Sequence, residues 1–253
     1  MNQGRLQGRV ALITGAAKGI GKATAQKMLQ EGASVALLDI QEGELNRTAE
    51  ELKPFGKVLG IPMNVTLTDE VERVVEQIVA QWKRVDILVN NAGAGKAARL
   101  EDVTSEDWDR VVNVNLKGTF YCTRAVLPNM KKNRYGKIVN IGSRAGLGKE
   151  ERTVYAATKA GLIGVTRTWA LELARHNINV NYVGPGPIET EFFMANNTPE
   201  QTRAILSTVP LKRMGKPGDV ANLVSFLASD EASFITGQSI FICGGITVGL
   251  VHF

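Results

Sequence analysis

Seven short apolar runs, each separated from the next by a stretch of helical length, constrain this chain more than any other feature. They are "RVALIT" from Arg9, "SVALLD" from Ser34, "KVLGIPM" from Lys57, "VDILVN" from Val85, "KIVNIGS" from Lys137, "INVNYV" from Ile178 and "SIFICGG" from Ser239. Runs so short and so continuously apolar read as strands buried on both faces. The segments between them carry helical periodicity. From Asp69 to Trp82 the apolar Val71, Val74, Val75, Ile78 and Val79 recur at three and four. Strands that alternate with helices pair in parallel through right-handed crossovers. The expected fold is therefore α/β, one domain over residues 1–253: a Rossmann-type doubly wound sheet of about seven parallel strands with helices on both faces. The least regular segment, Gly184 to Asp219, lies between the sixth strand and the last helix, and its 187–215 portion is a candidate substrate lid.

Composition narrows the function classes. No run approaches the roughly 18 apolar residues that cross a bilayer. The start, Met1-Asn2-Gln3-Gly4-Arg5, lacks the apolar stretch of a signal peptide, so a cytoplasmic protein away from membranes is expected. The net charge of +5 permits nucleic acid, but the basic residues are dispersed. Their densest cluster, Met130 to Lys137, fits a helix end and turn, so no nucleic-acid partner is expected. Cys122 and Cys243 are too few for a disulfide framework, and with His176 and His252 they make no metal-ligand spacing. No metal site is expected.

Two motifs carry chemistry. At the first strand-to-helix turn stands "TGAAKGIG", with Gly15, Gly19 and Gly21. Glycine permits the tight turn and lets backbone N–H groups at a helix N-terminus approach a pyrophosphate. Asp39 ends the second strand, 18 residues past Gly21, where a carboxylate accepts hydrogen bonds from an adenosine ribose. Together they predict a dinucleotide site. The second motif is Tyr155-x-x-x-Lys159, shortly after Ser143. Residues four apart share a helix face, so the ammonium can approach the phenol. A cation ~4 Å away at an effective dielectric of ~20 contributes ~4 kcal/mol before desolvation, enough to lower a phenol's pKa by two or three units. A phenol so tuned exchanges protons with an alcohol or alkoxide near working pH.

The Gly-x-x-x-Gly-x-Gly spacing, "NNAG" (Asn90 to Gly93), "NVNLKG" (Asn113 to Gly118), "IVNIGS" ending at Ser143, "YAATK", "PGPIET" (Pro185 to Thr190) and "ITGQSIFICGG" follow one another in order. In this the chain resembles the short-chain dehydrogenase/reductases, and within them the bacterial 3-oxoacyl-carrier-protein reductases and related alcohol dehydrogenases. The resemblance implies an oxidoreductase that moves a hydride between a nicotinamide cofactor and a carbonyl or alcohol, with Tyr155 as general acid and base. It implies that Ser143 orients the substrate oxygen, that Lys159 also binds the nicotinamide ribose, and that Asn115 maintains a proton relay through water. It further implies cofactor contacts from Lys18, Ile20, Asn64, Val65, Asn91, Ala92, Gly93, Pro185, Gly186, Ile188 and Thr190, and a homotetramer. A nucleotide-binding regulatory or scaffold protein of the same fold is the alternative; its expected signature, loss of the tyrosine or lysine, is absent.

Three features are particular to this chain. Asn64 stands where many relatives have aspartate, and Cys243 where they often have Asp before Gly-Gly. Ser143 and Tyr155 are 12 residues apart, one fewer than in many relatives. Arg144, Lys149 and Arg152 crowd that interval; they either are solvated loop charges or clamp an anionic substrate such as a carboxylate or acyl-carrier phosphate. Phe192, Phe193, Met194, Ile205 and Leu206 of the lid either form an apolar pocket wall or pack the lid down. Lys18 could meet a 2′-phosphate, but Asp39 favours unmodified ribose hydroxyls and Lys18 can turn to solvent or to Asp39 itself, so the expected cofactor is NAD.

Overall fold

The computed structural model describes residues 4–248. His252, and the ends of the expected 1–253 domain, lie outside the described residues. All seven expected strands form: β1 (Val10–Thr14), β2 (Ser34–Asp39), β3 (Val58–Pro62), β4 (Ile87–Asn90), β5 (Gly136–Ile141), β6 (Ile178–Pro185) and β7 (Ser239–Ile242). They pair in parallel in the order β3-β2-β1-β4-β5-β6-β7. Successive side chains along a strand face opposite ways. Ile13, Leu37, Ile87 and Val89 accordingly enter one core with the helices α1 (Gly19–Gln30), α2 (Glu42–Leu52) and α9 (Pro217–Leu227). Leu12, Leu38, Leu88 and Ile138 enter the other, with α3 (Thr68–Trp82) and α5 (Thr119–Asn133). The helices α4 (Ser105–Val112) and α6 (Thr153–Leu173) complete the layers. Among the described residues no helix is long and apolar enough to cross a membrane.

Strand order reverses between β1 and β4, and parallel sheets leave a crevice at the carboxyl edge of such a switch. Beneath it runs a buried polar thread. The Asn90 amide donates to Asn140 Oδ1 at 2.9 Å, directly across the β4–β5 register, and the Asn140 amide donates to Thr166 of α6 at 2.9 Å. This thread ties α6 to the two strands under the site. Segment Gly184 to Asp219 is more regular than its sequence suggests, because it contains α7 (Glu191–Ala195) and α8 (Pro199–Ser207). A reciprocal cap between Thr198 and Gln201, with Pro199 in the first turn, starts α8.

Candidate active site

A cavity of about 650 Å³ opens at the carboxyl edge. Gly15 and Gly19 line it with φ of 63° and 55°, in the left-handed region that glycine enters without strain. A side chain on Gly15 would press on the backbone of Ala92 at 2.8 Å. Asn91 holds this loop from β4: its amide donates to the carbonyls of Thr14 at 3.0 Å and Gly15 at 2.8 Å. The N–H groups of Asn91 and Ala92 both donate to the Thr14 hydroxyl at 3.0 Å. No side chain caps α1, so its first-turn N–H groups remain for an anion. Gly21 departs from expectation. It does not line the cavity; a Cβ there would strike the Gly15 carbonyl and Asn91, so its smallness serves helix-to-strand packing.

At the far end, Asp39 accepts from the N–H of Ala17 at 3.1 Å and of Gln41 at 3.0 Å, which orients its carboxylate. Lys18 stays partly exposed and does not pair with Asp39. Its ammonium lies 3.0 Å from Glu191 and 3.5 Å from Glu44, and these carboxylates raise its pKa against the opposing effect of burial. Asn64 spends its side-chain oxygen on the N–H and hydroxyl of Thr66, at 3.0 and 2.8 Å, leaving its NH₂ group as a donor. Ile20, Val65, Ala92, Gly93, Pro185, Gly186, Ile188 and Thr190 also line the cavity. Thr190 caps α7 by accepting from Phe193 N–H at 3.1 Å and lies against Gly19.

Ser143, Tyr155 and Lys159 line the same cavity, with Phe192 beside the Tyr155 ring at 6.0 Å between centroids. The expected lowering of the phenol by Lys159 is not what the structure shows. The Lys159 ammonium donates to the Ile141 carbonyl at 2.9 Å and sits 5.6 Å from the Tyr155 ring centroid. Burial raises the Tyr155 pKa, opposed by a hydrogen bond to Ser143 and the charge of Arg152, and burial pulls Lys159 down to about 8. Desolvation disfavours both charged forms. Asn115 lies behind the cavity lining. It sits in a widened stretch of helix, Asn113–Gly118, where its side chain bonds both the N–H and the carbonyl of Ala94, at 2.8 and 3.0 Å. Its NH₂ also donates to Thr158 at 2.9 Å, whose hydroxyl donates to the Tyr155 carbonyl at 2.9 Å. Among the expected lid residues, Phe192 and Phe193 line the cavity, whereas Met194, Ile205 and Leu206 do not.

Sequence reasoning missed Tyr182. This fully buried residue of β6 accepts from the Ser143 N–H and donates to the Ser143 carbonyl, both at 2.8 Å, clamping the backbone that presents the Ser143 hydroxyl. Its ring fills the space where a side chain on Gly142 would stand. The signal was present as a bulky phenol in "NVNYV" with glycine in "NIGS", but only the register Asn140 to Tyr182 reveals the pairing.

Comparison with known proteins is consistent across the chain. Residues 15–247 match the family described as enoyl-(acyl carrier protein) reductase. The chain is 51% identical over 247 residues to 3-oxoacyl-[acyl-carrier-protein] reductase of Thermotoga maritima, covering 96% of this chain and 100% of that one. It is 45% identical over 242 residues to a (2S)-[(R)-hydroxy(phenyl)methyl]succinyl-CoA dehydrogenase subunit of Thauera aromatica, covering 95% and 97%. The crystal structure of levodione reductase matches with a TM-score of 0.93 at 33% identity, covering 97% of this chain and 100% of that one.

Two expected outcomes follow from this geometry. Gly142→Ala overpacks against Tyr182 and costs about 2 kcal/mol or more in urea unfolding; adding Tyr182→Ala makes room, so the double variant is more stable than the sum of its parts by at least ~1 kcal/mol. Additive losses would contradict the clash. Lys159, lowered from 10.5 to about 8, binds fewer protons folded than unfolded between those values, so its burial penalty is complete below pH 8 and fades towards 10.5. Lys159→Met removes that penalty. The stability of the variant relative to wild type should fall by roughly 3 kcal/mol across the window. A pH-independent difference would show that Lys159 is not held at this pKa.

Proposed function

The chain belongs to the short-chain dehydrogenase/reductase family, and from that premise we propose that this oxidoreductase uses Tyr155 as its general acid and base and NAD as its cofactor. The observation that carries the reading is the convergence of Ser143, Tyr155 and Lys159 on one wall of a cavity whose other end is a glycine cradle. The cradle fits a dinucleotide: two left-handed glycines, uncapped N–H groups on α1 and an oriented Asp39 carboxylate supply the donors and acceptor such a ligand requires. A bound nicotinamide supplies the hydride chemistry.

The residues of the chain do the rest. The Ser143 hydroxyl holds the substrate oxygen beside the Tyr155 phenol. Burial keeps that phenol protonated at neutral pH, so it donates to the oxygen as a carbonyl is reduced and recovers the proton in the reverse direction. Lys159, anchored on Ile141, reaches the cofactor ribose from its remaining N–H groups. Asn115 acts through Ala94 and Thr158, holding the start of α6 in place.

The preference for NAD rests on charge at the adenosine end. Lys18 already lies between Glu44 and Glu191, with Asp39 in the same cavity lining and exposed Ile40 next to it. A 2′-phosphate ~4 Å from Asp39 would meet ~4 kcal/mol of repulsion per charge pair at an effective dielectric of ~20, before screening. Segment 187–215 is proposed as the lid, held at Glu191 by Lys18 and at Asn196 by Arg152, whose Nη2 donates to its carbonyl at 2.6 Å. Exposed Trp108 and Phe120, on helices next to Asn115, suit the interface of a homotetramer.

A carbonyl and alcohol panel followed by nicotinamide absorbance should show kcat/KM at least ~30-fold higher with NAD(H) than with NADP(H), about 2 kcal/mol. Asp39→Ser should narrow that gap chiefly by improving use of the phosphorylated cofactor. Equal use of both cofactors would remove Asp39 from control, and no turnover with either would refute the reading. Saturating NAD should also slow hydrogen exchange over 187–215; unchanged exchange rejects the lid. Light scattering behind size exclusion should give the mass of four chains, and a monomer mass rejects the tetramer.

A further inference from the structure

The substrate half of the cavity has a charge pattern that cofactor binding leaves unexplained. Arg144, Lys149 and Arg152 all line it. The carboxylates in the lining are Asp39 and Glu191, at the adenosine end and against Lys18. Within the described residues, none of the three cations has a carboxylate within 4 Å; Glu151 acts on Lys149 and Arg152 only at longer range. Their hydrogen bonds go to neutral groups. Arg152 donates to the carbonyls of Glu151 at 2.9 Å and Asn196 at 2.6 Å, and Lys149 donates to Asn197 Oδ1 at 3.3 Å. A guanidinium has five N–H donors and an ammonium three, so both retain donors. Arg152 is 7% exposed, and a guanidinium so buried ordinarily has an anionic partner.

Position ties these charges to the chemistry. Arg144 directly follows Ser143, and Arg152 precedes Tyr155 by one helical turn. Arg152 and Tyr155 influence each other's proton affinity, so the guanidinium stands in the field of the phenol. We propose that Arg144, Lys149 and Arg152 form a carboxylate-binding site beside Ser143 and Tyr155, and that the substrate class is an oxo acid and the corresponding hydroxy acid. The inference rests on the oxidoreductase reading for its reacting carbon, and the carboxylate itself is a spectator in the hydride transfer. Mutual repulsion supports it: after burial, the charges of Arg152 and Arg144 are what lower Lys149, to about 8. An anion among them relieves that repulsion and gains charge-assisted hydrogen bonds.

The test is calorimetric titration of the NADH-loaded protein with matched pairs, acetoacetate against acetoacetamide and levulinate against levulinamide, with inorganic phosphate as a further arm. At least one acid should bind at least 10-fold tighter than its amide. Lys149→Gln should bring that ratio below ~3, and Arg144→Gln serves as an independent second variant, each checked for folding by its melting temperature. Acids that bind no better than amides, including no detectable binding of either, would overturn the proposal. So would phosphate binding tighter than both acids, or a ratio unchanged in both folded variants. Turnover of a panel of neutral carbonyls with NADH separates the two readings. Reduction of neutral carbonyls without acid preference leaves the oxidoreductase and removes the carboxylate site; acid preference with no carbonyl reduced does the reverse.

Discussion

The link between the ends of β1 and β4 is the contact on which the site depends. Where the strand order reverses, the two chains diverge and their terminal backbone groups lose ladder partners. Thr14 and Asn91 satisfy those groups for each other: the Thr14 hydroxyl accepts two N–H groups, and the Asn91 amide returns two hydrogen bonds to the β1 end. The latch shapes the glycine loop at one end of the cavity. It also carries the chain towards Gly93 and Ala94, where Asn115 takes over and passes the constraint through Thr158 to Tyr155. A path of hydrogen bonds and intervening backbone thus runs from the glycine loop to the backbone of Tyr155.

Charge then divides the cavity. Glu44 and Glu191 hold Lys18 at the Asp39 end, while Arg144, Lys149 and Arg152 line the same cavity as Ser143 and Tyr155. Burial sets the proton affinities between these poles. It raises the phenol and lowers the amine, so Tyr155 is held more firmly in its neutral form while the neutral form of Lys159 comes closer in energy to the ammonium.

The five inner strands were legible because buried parallel strands are continuously apolar; the edge strands β3 and β7 carry apolar runs but are only partly buried, and the periodicity of α3 was legible because one face packs on the sheet. Glycines 15 and 19 were legible because their turn places both in the left-handed region that glycine enters without strain. Gly21 and Asn115 were recognised as motif members, yet their surroundings belong to packing and to backbone support, which spacing does not encode. The proton affinity of Tyr155 was misjudged for a related reason: an i to i+4 relation states that Lys159 is near, not that it is bonded to Ile141. Tyr182 was invisible since its partners lie 39 residues away across a strand register.

The central claim is that the Tyr155 phenol moves the proton. Steady-state kinetics of Tyr155→Phe on the best carbonyl substrate, with cofactor affinity measured by fluorescence titration, tests it most directly. The account predicts a kcat lowered by at least ~100-fold, the low end of general acid-base contributions, with cofactor affinity little changed. Turnover close to wild type in a folded phenylalanine variant would contradict it.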